Sequence, residues 1–354
     1  MKSLRFLKPE SLEVQQMPTP EPQAGEVLLK VRGCGICGSD VHGWLGKTGR
    51  RLWPMTMGHE FSAEVARCGE GANRFRPGDG VIVQPINFCG ECVNCKKGLT
   101  MLCLNKRFFG VLDVDGAMAE YVAVPEKLLY PLPEKLAAME GSKGYHIGAM
   151  AEPYAVAYGA VKKAGDLTGK DVMIVGAGMI GLCILQLVRL KNPAQIIVSD
   201  LSDVRLARAL KLGANHTVNS RHEDVYESIA KYTDGRMIDT SFEAVGVEPT
   251  ANQSVKALKI AGTAVWAGMS QREMTINMQD IVCSARNVLG TFNYTHVEFG
   301  EVVDILGSGR LETDALLSEV VSLENAADAF RRLHEQPDDL LKIVIDPTLQ
   351  EAAL

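Results

Sequence analysis

The stretch VGAGMIG, at residues 175–181, constrains the fold of this chain more than any other. It places Gly176, Gly178 and Gly181 in a G-x-G-x-x-G pattern between the apolar run VMIV and a helical run. In that pattern the first glycine permits a tight turn, the second leaves room for a pyrophosphate, and the third lets the helix pack on the strand. The stretch predicts a strand–turn–helix unit that binds a dinucleotide, with Ile180 also among the cofactor-binding residues.

An acidic residue supports this interpretation. Asp200 closes the next apolar run, IIVSD, nineteen residues after Gly181. A carboxylate there accepts hydrogen bonds from the adenosine ribose and repels a 2′-phosphate, so NAD is favoured over NADP. The alternative is a glycine-rich turn in an apolar helical hairpin with an unrelated surface aspartate, and the joint pattern disfavours it.

The pattern of predicted secondary structure changes twice along the chain. Short β-like runs cut by Gly and Pro fill the first 150 residues, which predicts a β-rich region. From about Tyr154, strand and helix patterns alternate, which predicts a parallel, doubly wound α/β sheet. After Gly290 come two helix-like stretches and the closing strand LKIVID. We therefore predict a β-rich region followed by a nucleotide-binding α/β domain.

Composition excludes several classes of protein. The 354 residues are 46% hydrophobic and 23% charged with a net charge of −6, which is typical of a soluble protein with sizeable cores. Without a basic stripe, nucleic acid is not an expected partner. Neither a signal peptide nor a membrane anchor is apparent, so we expect no membrane association and a cytoplasmic location. The nine cysteines suit metal binding in a reducing compartment better than disulfides.

Four of these cysteines form a C-x2-C-x2-C-x7-C cluster. Four thiolates on one short loop can complete a tetrahedron around Zn²⁺ and leave no position for substrate, so the cluster predicts a structural zinc site. An iron–sulfur centre and plain buried cysteines are the alternatives, and no other feature indicates electron transfer. The cluster consists of Cys89, Cys92, Cys95 and Cys103.

A second set of ligands differs in kind. Cys37, His59 and Glu60 offer a thiolate, an imidazole and a carboxylate, and three protein ligands with an open fourth position are typical of catalytic zinc. Each residue alone would more often be structural, because a buried cysteine behaves as a small hydrophobe. Gly35 and Gly58 nearby permit tight backbone paths, so the group predicts a second metal site.

Together these motifs resemble the zinc-dependent medium-chain alcohol and polyol dehydrogenases. GICGSDVH, GHEF, the four-cysteine lobe, AEPYAVAY and VGAGMIG follow the family's order and spacing over essentially the whole chain. The resemblance implies a GroES-like catalytic domain formed by both ends of the chain, at 1–154 and completed by 291–354, with a Rossmann domain inserted at 155–290. It is strongest to the sorbitol dehydrogenase branch, because Glu152 stands where simple alcohol dehydrogenases have a second cysteine.

The family pattern also implies roles for individual residues. Cys37 and His59 would hold the catalytic zinc with Glu60 or Glu152, and the resemblance leaves open which glutamate is bound at rest. Within that branch Glu60 and Glu152 can exchange places at the metal, or one of them can act through a water. Arg205, in DLSDVRLARA, would lie beside the adenine ribose held by Asp200.

Ser39 and His42 are candidates for proton transfer. Zn²⁺ lowers the pKa of bound water to about 7, so deprotonation of an alcohol becomes accessible at neutral pH. Ser39 could take the alcohol proton and His42 could pass it to solvent through the cofactor ribose, although Ser39 could instead cap a turn and His42 could be a surface residue.

Three cations near the same segment have two interpretations. Lys47, Arg50 and Arg51 would lie near the mouth of the active site, where a phosphorylated polyol or an acidic sugar could use them. Solvation on the surface is the favoured alternative.

The predicted activity is oxidation of a secondary alcohol of a polyol-like small molecule to a ketone, with hydride transfer to NAD and two zinc ions per chain. Threonine and sugar phosphates suit the same branch. A non-catalytic, zinc-stabilised NAD-binding protein is the rival from another class, and the complete Cys37/His59 site disfavours it. The metal clusters likewise disfavour a zinc-free quinone reductase. The resemblance implies a homodimer or homotetramer.

Overall fold

Strands dominate the N-terminal part of the computed structural model, which describes residues 1–349. In chain order the strands are β1 Lys2–Lys8, β2 Ser11–Gln16, β3 Glu26–Gly35, β4 Met55–Thr56, β5 Glu60–Cys68, β6 Gly80–Val83, β7 Ile86–Asn87, β8 Arg107–Phe108, β9 Tyr121–Pro125, β10 Leu129–Pro131, β11 Asp171–Val175, β12 Gln195–Asp200, β13 His216–Asn219, β14 Ile238–Glu243, β15 Leu258–Trp266, β16 Asn287–Gly290, β17 Leu317–Val321 and β18 Lys342–Ile345.

Helices dominate the middle of the chain. The α-helices are α1 Gly38–Trp44, α2 Val93–Lys96, α3 Glu134–Ala137, α4 Lys143–Gly148, α5 Ala151–Ala164, α6 Met179–Arg189, α7 Asp203–Lys211, α8 Val225–Tyr232, α9 Glu248–Lys256, α10 Met278–Val282, α11 His296–Ser308 and α12 Ala326–Glu335. Short 3₁₀ turns lie at Thr100–Leu102, Glu126–Leu128 and Thr313–Ala315. No helix within residues 1–349 combines the length and the hydropathy needed to cross a membrane.

The chain divides into two units. One comprises Met1–Glu152 together with residues 295–349, and the other comprises Pro153–Tyr294. The chain thus leaves the first unit once and returns to it.

The unit Pro153–Tyr294 is built on a six-stranded parallel sheet in the order β13-β12-β11-β14-β15-β16. Every residue of the central strand β11 is buried, as expected for a parallel strand covered on both faces. Helices α6 to α9 connect successive strands, and the order corresponds to the 3-2-1-4-5-6 arrangement of doubly wound dinucleotide-binding sheets. The predicted doubly wound α/β sheet is confirmed.

The other unit is β-rich. Its main sheet follows the order β10-β6-β5-β3-β18-β17, and β9 also pairs with β3. The apolar side chains of β3 and β5 alternate into a core that includes Leu29, Val31 and Phe61. Strand β18, from the end of the described chain, pairs antiparallel with β3, with Val344 opposite Gly35. This pairing brings a C-terminal strand next to the segment that carries Cys37.

Candidate active site

Two neighbouring strands assemble the first ligand group. Cys37 follows β3 as the N-cap of α1, and His59 directly precedes β5. Because β3 and β5 pair antiparallel with Gly35 opposite Glu60, the three predicted ligands converge. Ligand atoms of Cys37, His59 and Glu60 lie within 4.8 Å of one another.

Two glycines make this convergence possible. A Cβ on Gly35 would lie 2.3 Å from Glu60 Oε2, and one on Gly58 would lie 2.6 Å from Cys34 Sγ. Gly58 also has a φ of +103°, in the region that favours glycine. Side chains at these positions would displace the strand ends that carry the ligands.

The donor set fits zinc. His59 is buried, and its Nδ1 lies 3.4 Å from Asp40 Oδ1 without hydrogen-bond geometry. Metal-binding histidines commonly direct one ring nitrogen to a carboxylate and bind metal with the other, which leaves Nε2 of His59 as the candidate donor. A thiolate, an imidazole and a carboxylate are the ligand types of catalytic zinc sites.

Asp40 is a buried acid that the sequence did not single out. It accepts hydrogen bonds from Arg51 Nη2 at 2.7 Å, from Arg51 Nε at 3.2 Å and from the Cys37 backbone N–H at 3.2 Å. Burial raises the pKa of Asp40, but the positive charges of His59 and Arg51 outweigh burial and hold that pKa well below its usual range. Asp40 therefore remains a carboxylate and can orient His59.

The pKa of His59 shifts the other way. Burial lowers it, but the negative charges of Asp40 and Cys37 outweigh burial and raise the pKa of His59 well above its ordinary value. Binding of a metal by His59 must therefore displace a proton.

Glu60 is paired with a buried lysine. Glu60 Oε2 accepts a hydrogen bond from Lys342 Nζ at 2.5 Å, and the same Nζ donates to the Ile36 carbonyl at 3.0 Å. Burial lowers the pKa of Lys342, and the charges of Glu60, Cys37 and Glu152 outweigh it and raise that pKa. Glu152, in the first turn of α5, is buried but lies outside the group of Cys37, His59 and Glu60.

The two proton-transfer candidates lie on α1. Ser39 is exposed, and its Oγ lies 3.3 Å from Cys37 Sγ, where the hydroxyl donates. His42 is also exposed, and burial of part of its ring, followed by the positive charges of Lys47 and His334, lowers its pKa. Ser39 thus contacts a predicted metal ligand, and His42 favours the neutral form.

The expected surface location of the three cations needs correction for one of them. Lys47 and Arg50 are exposed, whereas Arg51 is buried at 3% exposure. The cause is Asp40, whose buried carboxylate requires a counter-charge. The spacing of Asp40 and Arg51 in the sequence did not predict their ion pair. The lone charge of Lys342 in the apolar strand KIVI was a signal that could have been recognised.

The second ligand group has the dimensions of a metal–thiolate cluster. Cys89 Sγ lies 3.9 Å from Cys95 Sγ and 3.5 Å from Cys103 Sγ, and none of the nine cysteines, all within the described residues, forms a disulfide. A tetrahedron with zinc–sulfur bonds of about 2.3 Å has sulfur–sulfur edges of about 3.8 Å. These separations fit four thiolates around one ion and are far too long for disulfides.

Backbone N–H groups support the thiolate form in this cluster. Hydrogen bonds from the backbone N–H of Glu91 lower the pKa of Cys89, and bonds from that of Leu104 lower the pKa of Cys92. The Cys89 backbone N–H also donates to Cys103 Sγ at 3.2 Å. The loop therefore stabilises negative charge on Cys89 and Cys92, whereas burial raises the pKa of Cys95 to about 12.

The glycine pattern forms a cradle at the N-terminus of α6. Gly176 has a φ of +101°, and a Cβ on Gly181 would lie 1.8 Å from the Gly176 carbonyl oxygen. A Cβ on Gly178 would meet nothing within 4 Å, so space remains above this turn. Gly178 is the N-cap of α6 and provides no side-chain cap, and Ile180 lies in the first turn. Helix N–H groups beside an open turn fit a pyrophosphate.

Asp200 lies at the end of β12, beside this turn. Its Oδ2 accepts a hydrogen bond from the Ala177 backbone N–H at 2.6 Å, and its Oδ1 accepts from Leu201 and Ser202 at 2.8 and 3.0 Å. Arg205 lies in α7, where its backbone N–H donates to the N-cap Ser202. The carboxylate is thus fixed next to the glycine turn, as a ribose ligand must be.

Comparisons with known proteins agree with this architecture. Residues 23–134 match the family described as the alcohol dehydrogenase GroES-like domain, and residues 180–308 match the one described as zinc-binding dehydrogenase. A sorbitol dehydrogenase of Bacillus subtilis (strain 168) is 30% identical over 351 residues, which cover 98% of this chain and 97% of the relative. The chain belongs to the zinc-dependent medium-chain dehydrogenases.

Solved structures of medium-chain dehydrogenases superpose over nearly the whole chain. A 2R,3R-butanediol dehydrogenase of Bacillus subtilis has a TM-score of 0.88 at 30% identity, with 98% of this chain and 99% of the other covered. A zinc-binding dehydrogenase of Sinorhizobium meliloti 1021 bound to NADP has a TM-score of 0.89 at 32% identity, with the same coverage. The family, the GroES-like and Rossmann-type fold and the oxidoreductase class acting on CH–OH donors are therefore confirmed.

The cofactor prediction at the level of the family is also confirmed. Medium-chain dehydrogenases of this type oxidise secondary alcohols with zinc and a nicotinamide dinucleotide, and both ligand groups of this chain fit zinc. The role of each individual site residue stays a prediction.

Proposed function

We propose that this dehydrogenase oxidises a secondary hydroxyl group of a polyol-like small molecule to a ketone and transfers the hydride to NAD. The observation that carries the proposal is the three-donor group of Cys37, His59 and Glu60, with the exposed hydroxyl of Ser39 in contact with Cys37. In the proposed assignment residues 1–154 and 291–354 form the catalytic domain, and residues 155–290 bind the dinucleotide.

Each metal group has its own role in this proposal. The four cysteines hold a structural zinc ion, and Cys37 and His59 hold the catalytic one with a glutamate. When bound, catalytic zinc acts as a Lewis acid that makes the substrate hydroxyl more acidic. Glu60 lies within the group of ligand atoms and also pairs with Lys342, whereas Glu152 lies outside that group, so both glutamates remain candidates for the third ligand.

The residues of α1 move the proton. Ser39 Oγ accepts the proton of the substrate hydroxyl while its own proton passes onward toward His42, from which it reaches solvent. Exposure of both side chains supports this route, and the lowered pKa of His42 keeps it able to accept a proton near neutral pH. Such a relay contributes about 10²–10⁴-fold to the rate.

The activity is tested with a panel of secondary alcohols followed by NADH formation. The panel contains free polyols, a polyol phosphate and threonine, and we expect turnover to be highest with a free polyol. Tight NAD binding without oxidation of any alcohol, in protein shown to contain two zinc ions per chain, would refute the proposal and support the non-catalytic alternative.

We expect the variant Asp200→Ala to lose much of the preference for NAD over NADP. The ratio of kcat/KM values for the two cofactors should fall at least about tenfold, because the carboxylate that binds the ribose and repels a 2′-phosphate is removed. Steady-state kinetics with both cofactors provide the measurement. Asp234→Ala, which removes a remote exposed charge, is the control. An unchanged ratio in Asp200→Ala would show that Asp200 does not contact the ribose.

We also propose a cytoplasmic homo-oligomer, a dimer or a tetramer. The edge strand β16 of the parallel sheet supports this proposal, because an unpaired edge is a liability that assembly can cover. Light scattering should give two or four times the chain mass of 38.4 kDa. A mass of one chain would contradict the assembly.

A further inference from the structure

Arg51 makes a set of contacts that the proposed relay does not explain. Its guanidinium is buried and donates from Nη2 to two acceptors, Asp40 Oδ1 at 2.7 Å and Ser39 Oγ at 3.1 Å. Nε donates to the same carboxylate at 3.2 Å, and Nη1 donates to the Arg50 carbonyl at 3.3 Å. One side chain thus joins the acid that faces His59 to the hydroxyl of Ser39.

The surrounding backbone is built to hold this side chain. A Cβ on Gly43, in α1, would lie 2.4 Å from Arg51 Cγ, so the helix leaves space for the arginine only because this residue is glycine. The segment of Arg51 is also fixed to Leu112, whose backbone N–H donates to the Arg50 carbonyl at 2.8 Å and whose carbonyl accepts from Leu52 at 3.1 Å. The position of the guanidinium is therefore set by more than its ion pair.

The chemistry of a guanidinium determines what it does to Ser39. Arginine remains protonated and offers donors only, so the Ser39 hydrogen cannot point toward it. Arg51 occupies one lone pair of Ser39 Oγ, which leaves the second lone pair to accept the substrate proton. The hydroxyl hydrogen donates to Cys37 Sγ in the structure and would turn from that acceptor toward His42 when it leaves. The fixed positive charge also stabilises negative charge that develops on Oγ during the transfer.

We propose that Arg51 is a positioning residue for proton transfer, which holds Ser39 Oγ ready to accept the substrate proton and couples it to Asp40 and His59. This inference rests on the proposed role of Ser39 in the reaction. The proton taken from the substrate hydroxyl enters Ser39 Oγ as the original Ser39 proton leaves toward His42, so Arg51 gains and loses no proton.

A double-mutant cycle between Arg51 and Ser39 tests the proposal. Arg51→Lys keeps the charge beside Asp40, but one ammonium group cannot reproduce the planar fork that reaches both acceptors. We expect Arg51→Lys to lower kcat at least about tenfold with little change in KM. In a Ser39→Ala background the same change should alter kcat less than about twofold. Arg51→Gln follows the same cycle if the lysine variant is unstable.

Two further measurements separate positioning from structure. We expect Arg51→Lys to retain two zinc ions per chain by elemental analysis and to show the wild-type absorption spectrum after Co²⁺ substitution. Arg76→Lys, a change at an exposed arginine with no role in the proposed site, is the matched control and should leave kcat unchanged.

The outcomes distinguish the two proposals. Full activity of Ser39→Ala would refute the relay and the role of Arg51 together. A loss of activity in Ser39→Ala with none in Arg51→Lys would overturn the role of Arg51 alone. If Arg51→Lys lowers kcat by the same factor in the wild-type and Ser39→Ala backgrounds, Arg51 acts independently of the hydroxyl and the inference is overturned. Loss of zinc from Arg51→Lys would overturn it as well.

Discussion

Replacing His59 by alanine is expected to lower alcohol oxidation on the order of a thousandfold or more. The change removes the neutral nitrogen ligand and leaves Cys37 with glutamates. This set of ligands is too negative for a bound zinc ion to make the substrate hydroxyl acidic. Without the metal, the proton of the substrate hydroxyl is hard to remove at neutral pH.

The fold should survive this change. Asp40 loses the imidazole as a neighbour but keeps both hydrogen bonds from Arg51, so no buried charge is left without a partner. The parallel sheet and the four-cysteine cluster do not include His59. We expect NAD affinity to remain near that of the wild type, since the glycine turn and Asp200 are unchanged.

Turnover, zinc content, NAD affinity and melting temperature are to be measured on one preparation. Cys89→Ser is the matched comparison, because it removes a ligand from the closed cluster and should lower stability more than intrinsic chemistry. Near-normal turnover in a His59→Ala protein that has lost one zinc ion would refute the catalytic role of that metal.

Lys342→Met is expected to destabilise the β-rich unit by about 3–5 kcal/mol. Lys342 and Glu60 are almost completely buried and form an ion pair, so the substitution leaves a buried carboxylate without its cation. The Ile36 carbonyl also loses a donor. For a unit of this size the melting temperature should fall by roughly 10 °C.

Bound metal should reduce the loss of stability that Lys342→Met causes. Glu60 belongs to the predicted metal group, so bound zinc can partly replace the missing positive charge. We expect a larger fall in melting temperature for the zinc-free protein than for the loaded one. Lys342→Arg, which keeps the charge, is the control and should cost less. An unchanged melting temperature in zinc-free Lys342→Met would show that Glu60 does not depend on this pair.

The parallel sheet could be predicted because its signals are local. The buried run VMIV, the glycines and Asp200 lie within one strand–helix–strand segment, and each acts through neighbouring backbone. The four-cysteine cluster was equally apparent, because a loop of fifteen residues contains all four ligands. Residue types and short spacing therefore predicted the parallel sheet and the four-cysteine group.

The environment of the first ligand group required the tertiary structure. Lys342 lies 282 positions after Glu60 and reaches it only because β18 pairs with β3. Arg51 was expected at the surface, yet the buried carboxylate of Asp40 holds it inside. Neither the separation of Lys342 from Glu60 nor that of Arg51 from Asp40 matches a sequence pattern that predicts a contact. The sequence by itself predicted which side chains are candidates to bind metal and dinucleotide, whereas strand pairing decided which buried charges surround them, because those charges meet through contacts between distant segments.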